Sequence, residues 1–510
     1  MISQKTNKDQ NFFLNFSKVS IWTMVSRFFG FVRDIMMAYF LGTSIIAEAF
    51  IIAFSIPNLF RRIFAEGAFT TAFLPILSKK INNKKELSKF SSETFSILLF
   101  SLIFLTVIAE IFMPILIFST AGGFLESEKF YLSTLYARIM FPYIILISLS
   151  TFFGSILNSI NKFTITSSLP VVLNIVIILS MIFANIFKKD IGICIVISVP
   201  IAGLIQLISL WYSVKLNQHY ISFKLPKLTK DIKFLIKIAI PTTLSAGVIQ
   251  INLLVGRQIA SFYDGAIAWL TYADRIYQLP LAVIGIAMGT VLLPKLSKKI
   301  FKKDFEGGQK LIIKSLLVCI LFSVPATVAL ILIPFKIIEI LFERGEFLKL
   351  DTIATGNALW IYALGLPSFI LQKIFSTIFF AESNTKTPFK CALVAMILNV
   401  LISILLIPKF GYLSPAIGIS ISGWVMCLLL FLNLKIIRIQ INKYFKLQII
   451  RIFISSIIMG IFIIFFENVT YELGSSIEIM KYFLFFLLIL FSICIYFLSL
   501  KILGFFRENL

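Results

Sequence analysis

The chain has 510 residues, of which 59% are hydrophobic and 14% charged, with a mean hydropathy of +0.98 and a formal net charge of +23. No soluble domain hides that much apolar surface, and the apolar residues fall into many runs of about 20, the length that crosses a bilayer as a helix. The excess of Lys and Arg gathers in short loops between those runs, which is the positive-inside pattern and not a nucleic-acid surface.

In chain order, the opening MISQKTNKDQNFF lacks a cleavable-signal pattern, and its lysines hold the N-terminus in the cytoplasm. About fourteen spans follow. The first two cover 18–42 and 44–76. The others fall near 92–118, 130–157, 166–187, 191–213, 234–261, 266–294, 310–335, 352–381, 389–408, 413–434, 448–467 and 480–503. The expected fold class is therefore an all-α polytopic membrane protein. Loops on one side, such as KKINNKKELSK, PKLSKKIFKKDFEGGQK and KIIRIQINKYFK, are basic; GGFLESEK, SFYDGA, FERGEF and FENVTYELGSSIE on the other are richer in Asp and Glu. Both termini then lie in the cytoplasm, as an even number of spans requires.

The stretch from Ser26 to Pro75 carries Arg27, Arg33, Arg61 and Arg62 among apolar residues. A charged side chain at hydrocarbon depth costs about 2.5–3.5 kcal/mol on insertion scales, so it faces a protein interior or a watery cavity. The cluster predicts a cationic cavity and hence an anionic cargo. The second segment is too long for one straight span and is interrupted by Pro57 and Gly67, which predicts a discontinuous helix lining that cavity. The alternative is a tilted helix that runs on into the cytoplasm, with Arg61 and Arg62 at the interface.

The chain also repeats itself. LPILSKK at 74–80 returns as LPKLSKK at 293–299, and a shift of about 224 residues pairs Arg33 with Arg257, Gly42 with Gly265 and Pro57 with Pro280. The same register pairs Pro142 with Pro367, Lys162 with Lys386 and Asn174 with Asn399. The shift spans six segments, an even number, so the halves share one topology about a pseudo-twofold axis along the membrane normal. The expected organisation is a six-helix lobe over 1–230, a second over 231–440, and two additional transmembrane helices over 441–510. Arg257 and Arg275 would add cationic groups from the second lobe.

Asp34 follows Arg33 and Asp274 precedes Arg275; each carboxylate either serves the cavity or neutralises its arginine and fixes helix register. Glu48 and Glu66 are placed to gate by pairing with an arginine when cargo is absent, unless they are interfacial carboxylates. Arg138 and Lys373 extend the cationic lining or snorkel to the headgroups. The five cysteines stand singly in apolar runs and His219 is the only histidine, so neither a metal site nor a histidine-based catalytic site is expected. There is no GxxxxGK[ST] motif, hence no ATP-driven step; no cofactor is expected, and the membrane potential or an ion gradient is the default energy source.

SRFFGFVRD, PNLFRRIFAEGAFTTAFLPIL, FPYIILISLSTFFGSILNSINKF, YADRIYQLPLAVIGIAMGTVLLPKLS and SNTKTPFK together resemble the MurJ (MviN) family of bacterial lipid II flippases, within the multidrug/oligosaccharidyl-lipid/polysaccharide exporter superfamily. The resemblance runs over nearly the whole chain. It implies translocation of undecaprenyl-diphosphate-linked GlcNAc-MurNAc-pentapeptide, lipid II, from the cytoplasmic to the periplasmic leaflet of the inner membrane for peptidoglycan synthesis. It implies cavity roles for Arg27, Arg33, Arg61 and Arg62, and for Arg275 and Arg257 in the second lobe. The early acidic position of the family is Glu48 here, and an acidic position four residues after Asp274 is Gln278 here. The sodium site of some members is not implied, because SNTKTP lacks the acidic residue often found there. On this reading the protein acts by alternating access, makes and breaks no bond, and works as a monomer whose partners are lipid II and membrane lipids.

Two other classes remain open at this point, besides an exporter of another lipid-linked oligosaccharide. A drug/cation antiporter would line its pocket with carboxylates, against the arginines seen here. A membrane-embedded glycosyltransferase would group acidic or metal-binding residues in one large loop, whereas the longest loops, 214–233 and 295–309, are basic.

Overall fold

The computed structural model of the protein describes residues 2–62, 70–80, 83–160, 162–217, 221–223, 225–434, 443–473 and 478–506. Helices account for almost all of them, and no strand occurs among the described residues. The all-α, polytopic architecture expected from the sequence is the one observed. Ten stretches of the described residues are long and apolar enough to cross a membrane. One of these, Lys386–Leu432, is two helices, Lys386–Phe410 and Ser414–Leu432, parted at Gly411 with φ of 52°. Exposed Phe100, Phe104 and Leu405 are side chains that hydrocarbon accommodates and water does not.

Helix starts follow local chemistry. Asn83 accepts from the backbone N–H groups of Lys85 and Glu86 to open Lys84–Ile111, and Asp190 accepts from Ile193 N at 2.7 Å to open Ile191–Leu216. Each satisfies donors that a helix N-terminus leaves unpaired. The repeat is visible in the backbone as well. Gly42 and Gly265, paired by the sequence register, both take the left-handed conformation (φ 53° and 79°), which lets the chain turn between consecutive helices without a Cβ clash. Past Pro57, Arg61 and Arg62 lie in a π-helical turn; past Pro280, Leu281–Ile286 is π-helical before Ala287–Phe301 resumes. Proline removes one ladder bond at each place, and wider π turns often mark functional stretches of helix.

The long second segment is described as two helices, Ile45–Phe60 and Thr70–Lys80; Gly67 between them lies outside the described residues.

The chain forms two compact units, Met1–Gly265 and Ala266–Leu510. In the first, a core of Phe73, Phe90, Phe152, Phe153 and Leu210 joins helices that are remote in sequence, and Ile232 and Leu235 enter it from the helix Lys230–Ala260. That helix opens the second sequence repeat, yet it packs here on Thr70–Lys80 and Met113–Thr120.

In the second unit the terminal helices Lys443–Leu473 and Glu478–Ile502 pack on Phe305–Leu332 through Ile452, Met459, Leu488 and Tyr496. Pro325 cannot donate to the carbonyl four residues earlier, that of Leu321. The buried Tyr496 hydroxyl donates to this carbonyl at 2.6 Å. The last helix thus repairs a bond that proline removed.

Candidate functional site

Arg33 lies on the long first helix, Ile2–Leu41, half-buried against Phe163–Ile186. Its Nε and Nη2 both donate to Asp34 Oδ1, at 3.1 and 2.7 Å, and its Nη1 donates to Asn174 Oδ1 at 3.0 Å. Asn174 turns its amide the other way, donating to the Ser26 carbonyl at 3.2 Å. Asp34 therefore neutralises Arg33 in this structure, and Asn174 orients the guanidinium. Asn174 carries no functional motif of its own; its place in the repeat register, opposite Asn399, is the one sequence signal for it.

Arg61 ends the helix Ile45–Phe60, where its Nε donates to Asn58 Oδ1 at 3.2 Å. It lines a cavity of about 300 Å³ within the first unit, together with Asn158, Thr166, Asn174 and Gln206. Gln206 is buried; its Nε2 donates to the Leu169 carbonyl at 2.7 Å, while its Oε1 has no donor among the described residues. Arg61 and Asn174, which orients Arg33, thus line one cavity whose walls mix polar side chains with Leu74, Ile147 and Leu173. Arg27 and Arg62 are exposed, as are Arg138 and Lys373.

Glu48 is fully buried, and its partner is one that sequence reasoning missed. Lys129 Nζ donates to Glu48 Oε2 at 2.5 Å and to Asp264 Oδ1 at 2.7 Å. Beside this clasp Gly122 N donates to Gln258 Oε1 and Gly123 N to Ser261 Oγ, each at 2.9 Å. The end of Lys230–Ala260, where Arg257 sits half-buried in the last turn, is therefore fastened to the Gly122–Phe124 turn. Glu48, expected either to gate by pairing with an arginine or to stand as an interfacial carboxylate, is buried in this structure and pairs with Lys129. Glu66 lies outside the described residues.

Within the second unit Asp274 and Arg275 are half-buried on Ala266–Pro280. The Gln278 amide donates to Asp274 Oδ2 one turn on. Gln278, the apparent departure from an acidic position, thus binds the neighbouring carboxylate where a second acid would repel it. Tyr277 packs on Tyr362 with ring centroids 4.9 Å apart. Among the described residues no group of three or more His, Cys, Asp or Glu side chains is arranged to hold a metal ion.

Residues 37–485 match the family model for the lipid II flippase MurJ. The chain belongs to the MurJ family. A "probable lipid II flippase MurJ" of Rickettsia prowazekii is 38% identical over 445 residues, covering 86% of this chain and 87% of the relative. The lipid II flippase MurJ of Burkholderia cenocepacia is 32% identical over 433 residues, covering 83% and 84%. A solved structure of a lipid II flippase MurJ in an inward closed conformation is 29% identical, with a TM-score of 0.80 over 96% of this chain and 98% of that one. An inward-facing multidrug transporter of the MATE family, at 15% identity and a TM-score of 0.69 over 86% of this chain and 98% of that one, shares the fold. The MurJ match takes in Glu48, Arg61, Lys129, Asn174 and Arg275, and the solved MurJ relative spans nearly the whole chain.

Proposed function

We propose that this chain is a lipid II flippase of a bacterial inner membrane, moving the undecaprenyl-diphosphate-linked peptidoglycan precursor to the outer leaflet by alternating access. The observation that carries this reading is the MurJ match over 37–485, joined to a first unit in which Arg61 and Asn174, the partner of Arg33, line one cavity. Arg27, Arg33, Arg61, Arg62, Arg257 and Arg275 are the groups assigned to the cargo's diphosphate. A guanidinium fork matches phosphate oxygens two at a time and keeps its charge throughout. Asp34 holds Arg33 until cargo arrives, and a diphosphate, with more charge and more acceptor oxygens, displaces it. Asp274 stands beside Arg275 in the same relation. The polyprenyl tail stays in lipid while the head group crosses, no covalent bond changes, and the membrane potential resets the carrier. The protein works as a monomer with both termini in the cytoplasm.

The test is complementation in a host depleted of its own flippase, with lipid II assayed in each leaflet. The wild-type chain should restore export, and Arg33→Ala, at equal membrane abundance, should not. Normal export by the Arg33→Ala/Arg61→Ala variant would overturn the reading. Unchanged lipid II in the wild-type rescue would point to another lipid-linked anion as cargo.

A further inference from the structure

In the second unit a basin of about 900 Å³ lies where the span Ala266–Phe301 ends and Phe305–Leu332 begins. Lys295, Lys298, Lys299, Lys302, Lys310 and Lys314 line it. The first four stand at i, i+3, i+4 and i+7, so one helix turns a continuous cationic stripe to the basin; the last two repeat the spacing on the next helix. Like charges at such spacings repel and destabilise a helix unless something anionic is set between them. Asp304 supplies one carboxylate, 2.5 Å from Lys299, and is also engaged as the cap of Phe305–Leu332 through Gly307 N at 2.9 Å. Among the described residues the other five lysines have no carboxylate within ion-pair distance.

The first repeat shows what a neutralised copy looks like. There Lys80 is 2.7 Å from Asp231 and lies over the Phe90 ring, and the position equivalent to Lys295 is the buried Ile76. The second copy has gained a lysine at that position, and its stripe keeps Asp304 as its one carboxylate partner among the described residues. Phe301 is 90% exposed and Phe305 44% exposed at the same level, with Val291 and Leu293 exposed above them. A soluble anion makes no use of bare phenylalanines, whereas the acyl chains beneath a lipid headgroup do. Basic pockets at the ends of membrane helices bind anionic headgroups on this principle.

We propose that the lysine basin binds the phosphate headgroup of an anionic phospholipid, whose acyl chains lie along the apolar lengths of the two spans. This site uses none of the arginines assigned to the cargo, so the proposal stands or falls apart from the flippase reading.

The test uses the purified full chain in a neutral detergent, titrated with short-chain phosphatidylglycerol, phosphatidylcholine of the same chain length, and inorganic pyrophosphate. Binding is read as the rise in thermal midpoint and as lipid retained in native mass spectra. Phosphatidylglycerol should bind and stabilise; the other two should not. A lysine near an anionic lipid surface contributes about a fivefold change in binding, so Lys295→Gln/Lys298→Gln/Lys310→Gln/Lys314→Gln should weaken phosphatidylglycerol by at least about a hundredfold. The milder Lys310→Gln/Lys314→Gln, which disturbs the fold less, should weaken it by about 25-fold. Neutralising the exposed Lys85, Lys89, Lys188 and Lys189 should leave binding intact. Unchanged binding in the basin variants, or equal loss in the control, overturns the proposal. Pyrophosphate stabilising as well as the lipid overturns it in favour of a soluble anion.

Discussion

Replacing Lys129 by Met should be among the most damaging single changes in the first unit. Glu48 is fully buried and the Lys129 side chain is 9% exposed, so the ammonium is the partner that offsets a carboxylate removed from water. Methionine keeps the length and apolar stem but removes the ammonium from which the buried Glu48 Oε2 accepts. Breaking a buried pair in this way costs about 3–5 kcal/mol, whereas replacing both partners by neutral groups is often close to harmless. Asp264 on the other side of the ammonium is fully exposed and its contact is screened by water, so it adds little. Glu48→Gln alone should cost less than Lys129→Met, because Lys129 keeps Asp264 and a route to solvent. The order of stability is then wild type, close to Glu48→Gln/Lys129→Met, then Glu48→Gln, then Lys129→Met. Thermal unfolding in detergent, followed by the loss of the monodisperse peak on size exclusion, reads this order. A Lys129→Met protein as stable as wild type, or a double variant no better than the lysine variant alone, would refute the reasoning.

Tyr496→Phe should cost about 1–3 kcal/mol, since it leaves the Leu321 carbonyl without a donor at a buried proline kink, and chemical or thermal unfolding would register it. Gly123→Ala should loosen the turn that holds the end of Lys230–Ala260. A Cβ there would lie 2.5 Å from the Ser261 backbone, and the change would appear as faster amide exchange across 254–264, with Gly285→Ala, whose Cβ would meet only ordinary contacts, as the control. The Asp304 carboxyl is held below its ordinary value by the Lys299 hydrogen bond first and the Gly307 N–H second. Its contribution is therefore present above the ordinary carboxylate range and is lost as pH falls through the lowered folded value. Thermal midpoints measured from neutral pH to about pH 3 should show a decline that is smaller in Asp304→Asn.

Much of the fold was legible because hydrocarbon imposes a simple rule: a span must be apolar for about 20 residues, and charge then collects between spans. The repeat was legible for a related reason, since Gly42 and Gly265 each answer a backbone demand that few other residues meet. The site was legible only in part. An arginine inside an apolar run announces itself, and the adjacency of Asp34 could be read directly. Lys129 could not be found this way: it sits in an acidic-looking loop, ESEK, and becomes buried only when Glu48 and Asp264, both far away in sequence, converge on it. Asn174 was visible as a repeat position but not as an orienting group, because one amide in a 24-residue apolar helix has no periodic signature. The role of the terminal helices was hidden for the same reason, resting on a single hydroxyl and a carbonyl 175 positions apart.

The helix Lys230–Ala260 belongs to the second repeat by sequence register and to the first unit by contact. Anyone dividing this chain for split expression therefore has two candidate cuts with opposite outcomes. Scission near 230, at the sequence repeat, would strip the first fragment of the helix that covers Phe73 and Phe90, and would leave Gln258, Ser261 and Asp264 on the wrong polypeptide. Scission after Gly265, in a left-handed turn that follows the exposed Phe262 and Asp264, falls at the boundary of the two compact units. Two fragments cut there each keep their own interior.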